Sequence, residues 1–228
     1  ADRYLKGLVE AKYNIFISGG TGAGKTTFLN ILSNYIPVSE RIITIEDSAE
    51  LQIQNVENIV RMESRNANVE GKNQVTIRDL IRSALRMRPD RIVVGEIRDA
   101  TAIDMLTAMN TGHDGSLSTG HANSPKDMLN RLETLVLMGM DIPLPAIRQQ
   151  ISSAIDIIVH LGRLRDRSRK VLEICEIGNV VGGEIEVFPI FTFCELGEEE
   201  GRILGTLERT GHVLRSMDKC RRAGVSLS

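Results

Sequence analysis

Apolar positions along this chain follow two rhythms in turn. A two-residue rhythm occurs at Ile15–Ser18, where Ile15 and Ile17 alternate with Phe16 and Ser18, and short β-branched runs ending in carboxylates follow at Arg41–Glu46 and Arg91–Glu96. Residues 76–86 instead place Ile77, Leu80, Ile81, Ala84 and Leu85 on one face of a predicted helix. That helix stops before Pro89, whose ring disfavours helical backbone in the residue ahead of it. Asp99 is expected to cap a helix that runs through Asn110 and is broken by Gly112. Ser116–Thr119 reads as a strand beside the 91–96 run, and Ser124-Pro125 opens a helix with Met128, Leu129, Leu132, Leu135 and Val136 as its core stripe. A helix is also expected almost at the start of the chain. Such alternation predicts an α/β fold with a mostly parallel central sheet.

From Ile155 the pattern turns to β segments, Asp156–Leu161 and then Val171–Ile177. The connection between them, Arg163 to Lys170, is a basic loop of alternating charge. It suits a solvated turn, or a surface facing an acidic partner or anionic lipid. Glu184–Phe193, Arg202–Leu207 and a short helix around residues 212–222 suggest a small C-terminal β/α annex. The expected division is therefore a main domain at 1–178 and an annex at 179–228.

With 228 residues and 42% hydrophobic content, the chain can bury one sizeable core. A net charge of -2 argues against a nucleic-acid surface as the dominant feature, because duplex binding draws on clustered Lys and Arg. Cys175, Cys194 and Cys220 are odd in number and widely spaced, which fits reduced thiols better than a disulfide framework or a zinc site. The absence of any apolar run near ~18 residues leaves peripheral membrane contact as the expectation. The chain opens at Ala1, so a fragment of a longer protein with a further N-terminal domain is expected.

The strongest chemical signal follows the first strand. Gly19-Gly20-Thr21-Gly22-Ala23-Gly24-Lys25-Thr26 spells G-x-x-x-x-G-K-[ST] between a strand and a helix that takes in Thr27. Glycines let successive N–H groups turn inward on phosphates, Lys25 reaches the terminal phosphates, and the Thr26 hydroxyl suits Mg²⁺. ATP and Mg²⁺ are the expected ligands. Glu46 and Glu96 both end predicted strands, at the sheet edge where α/β folds bind ligands. Glu96 is the candidate to orient or deprotonate the attacking water. Thr44-Ile45-Glu46-Asp47 offers carboxylates to hold Mg²⁺ through water, or a helix cap at Asp47 or Ser48. His113 and His121 flank the 116–119 strand; a histidine there suits hydrogen bonding to the γ-phosphate, or a structural role. Arg78, Arg82 and Arg86 share one helix face, which is either solvated or supplies Arg82 and Arg86 to a neighbouring subunit's γ-phosphate.

Taken in order, the loop at Gly19 to Thr26, Thr44-Ile45-Glu46-Asp47, Gly95-Glu96-Ile97-Arg98-Asp99 and Thr119-Gly120-His121-Ala122-Asn123 resemble the four landmarks of the secretion and pilus-assembly traffic ATPase superfamily. Residues 84–91, 109–113 and 132–136 most resemble the CpaF-like ATPases of tight-adherence (Flp) pili. The likeness runs from about residue 4 to residue 178. It implies a RecA-like P-loop ATPase domain, a homo-hexameric ring, an N-terminal domain, and a place on the cytoplasmic face of an inner-membrane platform. It also implies that His121 is a nucleotide-site residue and Glu46 the functional carboxylate of its pair.

Three function classes compete, with a small-molecule kinase set last because a positioned water base would be wasteful where hydrolysis must be suppressed. The first is a Mg-ATP hydrolase that moves pilus or secretion machinery. A DNA-translocating RecA-like motor is the second, set back by 4% aromatic residues and no Trp for stacking platforms. The third is a nucleotide-responsive binding module, against which Glu96 argues.

Overall fold

A computed structural model describes residues 1–227. Nine strands form one sheet in the order β3-β2-β4-β5-β1-β6-β7-β8-β9. The first six are mutually parallel: β3 (Asn58–Glu63), β2 (Arg41–Glu46), β4 (Arg91–Val94), β5 (Leu117–Gly120), β1 (Ile15–Gly19) and β6 (Ile157–Arg163). Then β7 (Arg169–Val181), β8 (Glu184–Glu199) and β9 (Arg202–Arg209) continue it antiparallel.

Every residue of β1 is buried, because helices cover both faces of the parallel half. Ile15 and Ile17 of β1 and Ile157 and Val159 of β6 turn to one side. There they meet Leu5 and Leu8 of α1 (Asp2–Glu10) and Leu29 and Leu32 of α2 (Lys25–Ser33). Phe16, Ile43, Ile45, Ile92 and Val94 turn to the other side. That face is packed by α3 (Ile77–Ala84), α4 (Ala102–Asn110), α5 (Pro125–Leu137) and α6 (Leu144–Ala154). A last helix, α7 (Asp218–Ala223), lies near the end of the chain.

Local chemistry sets several boundaries. Thr76 caps α3 in a reciprocal box with Asp79, and the helix closes at Ala84 rather than reaching Arg86. Asp99 does not cap α4 directly. Its Oδ1 accepts the Thr101 N–H and hydroxyl at 2.9 and 2.7 Å, which forms a turn ahead of a helix that starts at Ala102. Ser124 does cap α5, accepting the Asp127 N–H with Pro125 in the first turn. The expected domain division at residue 178 falls inside β7, and β8 and β9 extend the same sheet, so hydrogen bonding is continuous across it. Among the described residues, no helix is long and apolar enough to cross a membrane.

Candidate nucleotide site

The parallel strands deliver their carboxyl ends to one edge, and the phosphate-loop sequence is the turn from β1 into α2. Gly22 and Gly24 take φ of 73° and 94°, conformations that L side chains resist. A Cβ on Gly20 or Gly22 would meet nothing within 4 Å, so these backbones border open space rather than packed protein. The N–H groups at the start of α2 add the partial positive charge of a helix N-terminus. Lys25 is 8% exposed, and its Nζ donates to the carbonyls of Gly19 and Gly20 at 3.0 and 3.2 Å. Burial lowers its pKa, with Glu96 pulling the other way. Those carbonyls hold the ammonium at the loop.

His121 follows β5 directly. Its Nδ1 accepts a hydrogen bond from Lys25 Nζ at 3.2 Å, so the ring proton resides on Nε2, which stands 2.8 Å from Glu96 Oε1. The approach lacks the alignment of a hydrogen bond, and Glu96 Oε1 is buried without a directed donor. A buried carboxylate oxygen left this way has capacity for a water or a metal-bound ligand. Glu96 lies two residues beyond β4, held there by β5: Thr119 Oγ1 donates to the Gly95 carbonyl at 2.7 Å, and Ile97 N–H to the Thr119 carbonyl at 2.9 Å. On the far side Arg98 lies 3.5 Å from Glu96 Oε2 and pairs with Asp47, which also accepts from Ser64 Oγ at 2.9 Å. A cavity of about 300 Å³ opens over this array, bordered by Gly22, Lys25, Thr26, Glu96, His121 and Arg169.

The residues fit a magnesium–nucleotide pair. Among the described residues, no cluster of three or more Asp, Glu, His or Cys could hold a metal unaided. Mg²⁺ ordinarily relies on substrate phosphates, water and one or two protein oxygens, and Thr26 and Glu96 both border the cavity with oxygens of that kind.

Glu46 is placed differently. It ends β2 as expected and packs against Gly95, but its Oε1 accepts the N–H groups of Glu50 and Leu51 at 3.0 and 2.9 Å. It is 5% exposed, and burial raises its pKa against those two hydrogen bonds. In this arrangement Glu46 shapes the loop after β2 and does not border the phosphate cavity. Asp47 engages Arg98 and Ser64 and caps no helix. His113 precedes β5 and therefore lies at the opposite sheet edge. Arg82 and Arg78 turn toward Asp104 on α4, at 3.3 and 2.8 Å, and Arg86 stands exposed in the turn after α3. Neither Arg82 nor Arg86 borders the cavity of its own chain.

Two arginines at the site carry no signal in the motifs. Arg131, on the polar face of α5 one turn after Asp127, borders a hollow of about 370 Å³ with Gly20, Thr21 and His121. Arg169, the first residue of β7, reaches to 3.3 Å from where a Gly24 Cβ would stand. Helical spacing from Asp127 would have brought out the first; the second needed the sheet order.

A phosphate loop on a parallel sheet, with Glu96 just beyond a nearby strand end, is the arrangement of a P-loop nucleotide-binding domain of RecA-like fold. The chain belongs to the Type II/IV secretion system protein family, whose model matches residues 1–211. It is 42% identical over 175 residues to a putative conjugal transfer protein of Mycobacterium tuberculosis, covering 77% of this chain and 49% of that one. To the type IV secretion system protein PtlH of Bordetella pertussis it is 38% identical over 179 residues, covering 76% and 52%. Among solved structures, the VirB11 ATPase from the Brucella suis type IV secretion system, in complex with sulphate, superimposes with a TM-score of 0.68 at 34% identity over 75% of this chain and 50% of that one. The chain thus spans about half the length of the curated relatives it matches.

Proposed function

We propose that this chain is the catalytic half of a Mg-ATP hydrolase that drives a secretion or pilus-assembly machine. The observation that carries the reading is the Lys25–His121–Glu96 array on the edge where the phosphate loop opens. In this reading loop N–H groups and Lys25 hold the β- and γ-phosphates, and Thr26 offers its hydroxyl to Mg²⁺. Magnesium supplies charge neutralisation of the phosphates. Glu96 accepts a proton from the water whose oxygen attacks the γ-phosphorus, while the bridging oxygen departs with ADP. Glu46 serves by fixing the loop beside Gly95, or joins the Mg²⁺ shell through water if the 50–51 contact opens. His121 changes partners when phosphate draws Lys25 away, a differential contact of the kind that can shift a conformational equilibrium.

Family membership supports assembly as a homo-hexameric ring, on the cytoplasmic face of the inner membrane and against a platform protein there. In such a ring Arg82 and Arg86, exposed and away from the cavity of their own chain, serve a neighbour's site, Arg82 by leaving its surface pairing with Asp104. Light scattering with and without Mg-ATP, alongside phosphate release, tests this. Growth in size accompanied by Mg²⁺-dependent release supports it, whereas nucleotide binding with no release at any protein concentration overturns it.

A further inference from the structure

The basic connection between β6 and β7 is more than a solvated turn. Because β6 lies parallel to β1 and next to it, the turn leaving β6 emerges beside the turn leaving β1, which is the phosphate loop. Within the connection the charges have separate tasks. Arg165 is committed to Glu195 and Glu198 at 2.5 and 3.0 Å. Asp166 accepts from Ser168 N–H and Ile203 N–H, both at 2.9 Å, and so ties the turn to β9. Arg169 forms no ion pair among the described residues and leans on Gly24. Period-two geometry sets its direction: Leu161 pairs with Val171, and Arg163 with Arg169, so Arg169 and Val171 share a face.

Arg169 borders two hollows at once. One is the phosphate cavity. The other, of about 340 Å³ and mostly apolar, lies between α2 and the β6–β7 pair, walled by Ala23, Phe28, Ile31, Leu161 and Val171. A polar cavity and an apolar one that meet at Gly24, Thr27 and Arg169, with Arg169 the one charged residue of the three, match a ligand with a polyanionic end and a flat apolar end. We infer that Arg169 is a nucleotide-positioning residue supplied by the same chain as the phosphate loop, and that the apolar hollow between α2 and β6–β7 receives the base. The planar guanidinium, with its fork of donors, suits phosphate oxygens in a way that a lysine does not. Ile31, 46% exposed on the α2 wall, presents apolar surface to the base. This inference rests on the nucleotide reading of the site.

Calorimetry with ATP and with inorganic tripolyphosphate, on Lys25→Ala, Arg169→Ala, Arg169→Lys and Ile31→Glu proteins of matched circular dichroism, separates the parts. Arg169→Ala is expected to weaken both ligands about ten- to a hundredfold, as loss of charge-assisted bonds does, with Arg169→Lys recovering only part. Ile31→Glu should weaken ATP about tenfold and leave tripolyphosphate unchanged. Unaltered binding of both ligands by Arg169→Ala overturns the role of Arg169. Equal loss of both ligands in Ile31→Glu, or loss of neither, overturns the base hollow. If Lys25→Ala itself bound ATP like the wild type, the nucleotide reading would fall with it; normal loss there confines any failure to this inference.

Discussion

The Nε2 atom of His121 lies 2.8 Å from Oε1 of Glu96. Since Nδ1 accepts from Lys25, the imidazole is neutral and spans the gap between the loop cation and the strand-end carboxylate. Burial first, and then the charge of Lys25, lower the His121 pKa below its ordinary 6.5; Glu96 opposes them, while Arg131 and Arg98 reinforce them.

The array therefore has a titration signature in protein free of divalent cations. By NMR, the His121 midpoint is expected below 6.5. Removing the nearby cation with Lys25→Met should raise it, and removing the anion with Glu96→Gln should lower it further. A wild-type midpoint above 6.5, or shifts of the opposite sign, would contradict the contacts described.

His160 offers a test through stability. It is 5% exposed on β6, with Nδ1 2.9 Å from Ser18 Oγ, and burial lowers its pKa. As pH falls below about 6.5 the unfolded chain takes up the proton before the folded one does, so stability contributed by the neutral ring is intact above that value and declines below it. Thermal melts from pH 7 to pH 5 should show a smaller drop in Tm for His160→Gln than for wild type. Parallel curves would dismiss the effect.

Much of the parallel half was legible because buried strands and one-sided helices write their periods plainly. Arg41–Glu46 appears as expected, and Ser124 caps its helix through its own side chain. β3 escaped because its residues are exposed or half-buried at the sheet edge, where the β-branched signal fades. α6 escaped behind Pro143 and Pro145, which read as loop residues although one precedes the helix and the other sits in its first turn. In the site, the phosphate loop and Glu96 were readable from motif and strand end. The loop-holding role of Glu46 was not, because it depends on amides four and five residues onward in an irregular segment. Arg169 was hidden for a related reason: its position follows from β6 pairing with β1 across 142 residues of sequence.

Glu46 can be assigned by comparing two substitutions. Glu46→Ala leaves the Glu50 and Leu51 N–H groups without their acceptor and should cost about 1–3 kcal/mol in denaturant unfolding. Glu46→Gln keeps an oxygen for them and should lie within about 1 kcal/mol of wild type. If Glu46→Gln is stable yet loses Mg²⁺-dependent turnover, its charge also serves the metal. If it is stable and fully active, Glu46 acts through the loop alone.

Arg82 is 62% exposed in its side chain and its pairing with Asp104 is a surface contact, so Arg82→Ala should change stability by less than about 1 kcal/mol. Mixing Glu96→Gln protein with an Arg82→Ala/Arg86→Ala protein is expected to restore part of the lost phosphate release, because some interfaces would then combine an intact Glu96 with an intact arginine pair. Mixed oligomers that form without any rescue would remove these arginines from a neighbour's site.

The central claim, that the edge carrying Lys25, His121 and Glu96 hydrolyses ATP with separate residues for holding and for cleaving, is tested most directly by one paired measurement. Fluorescent ATP binding and Mg²⁺-dependent phosphate release are recorded on Lys25→Ala and Glu96→Gln beside wild type. Lys25→Ala should lose binding, while Glu96→Gln should bind ATP normally and release phosphate about 10²–10⁴-fold more slowly, the range a positioned general base contributes. Release by Glu96→Gln at the wild-type rate would contradict it.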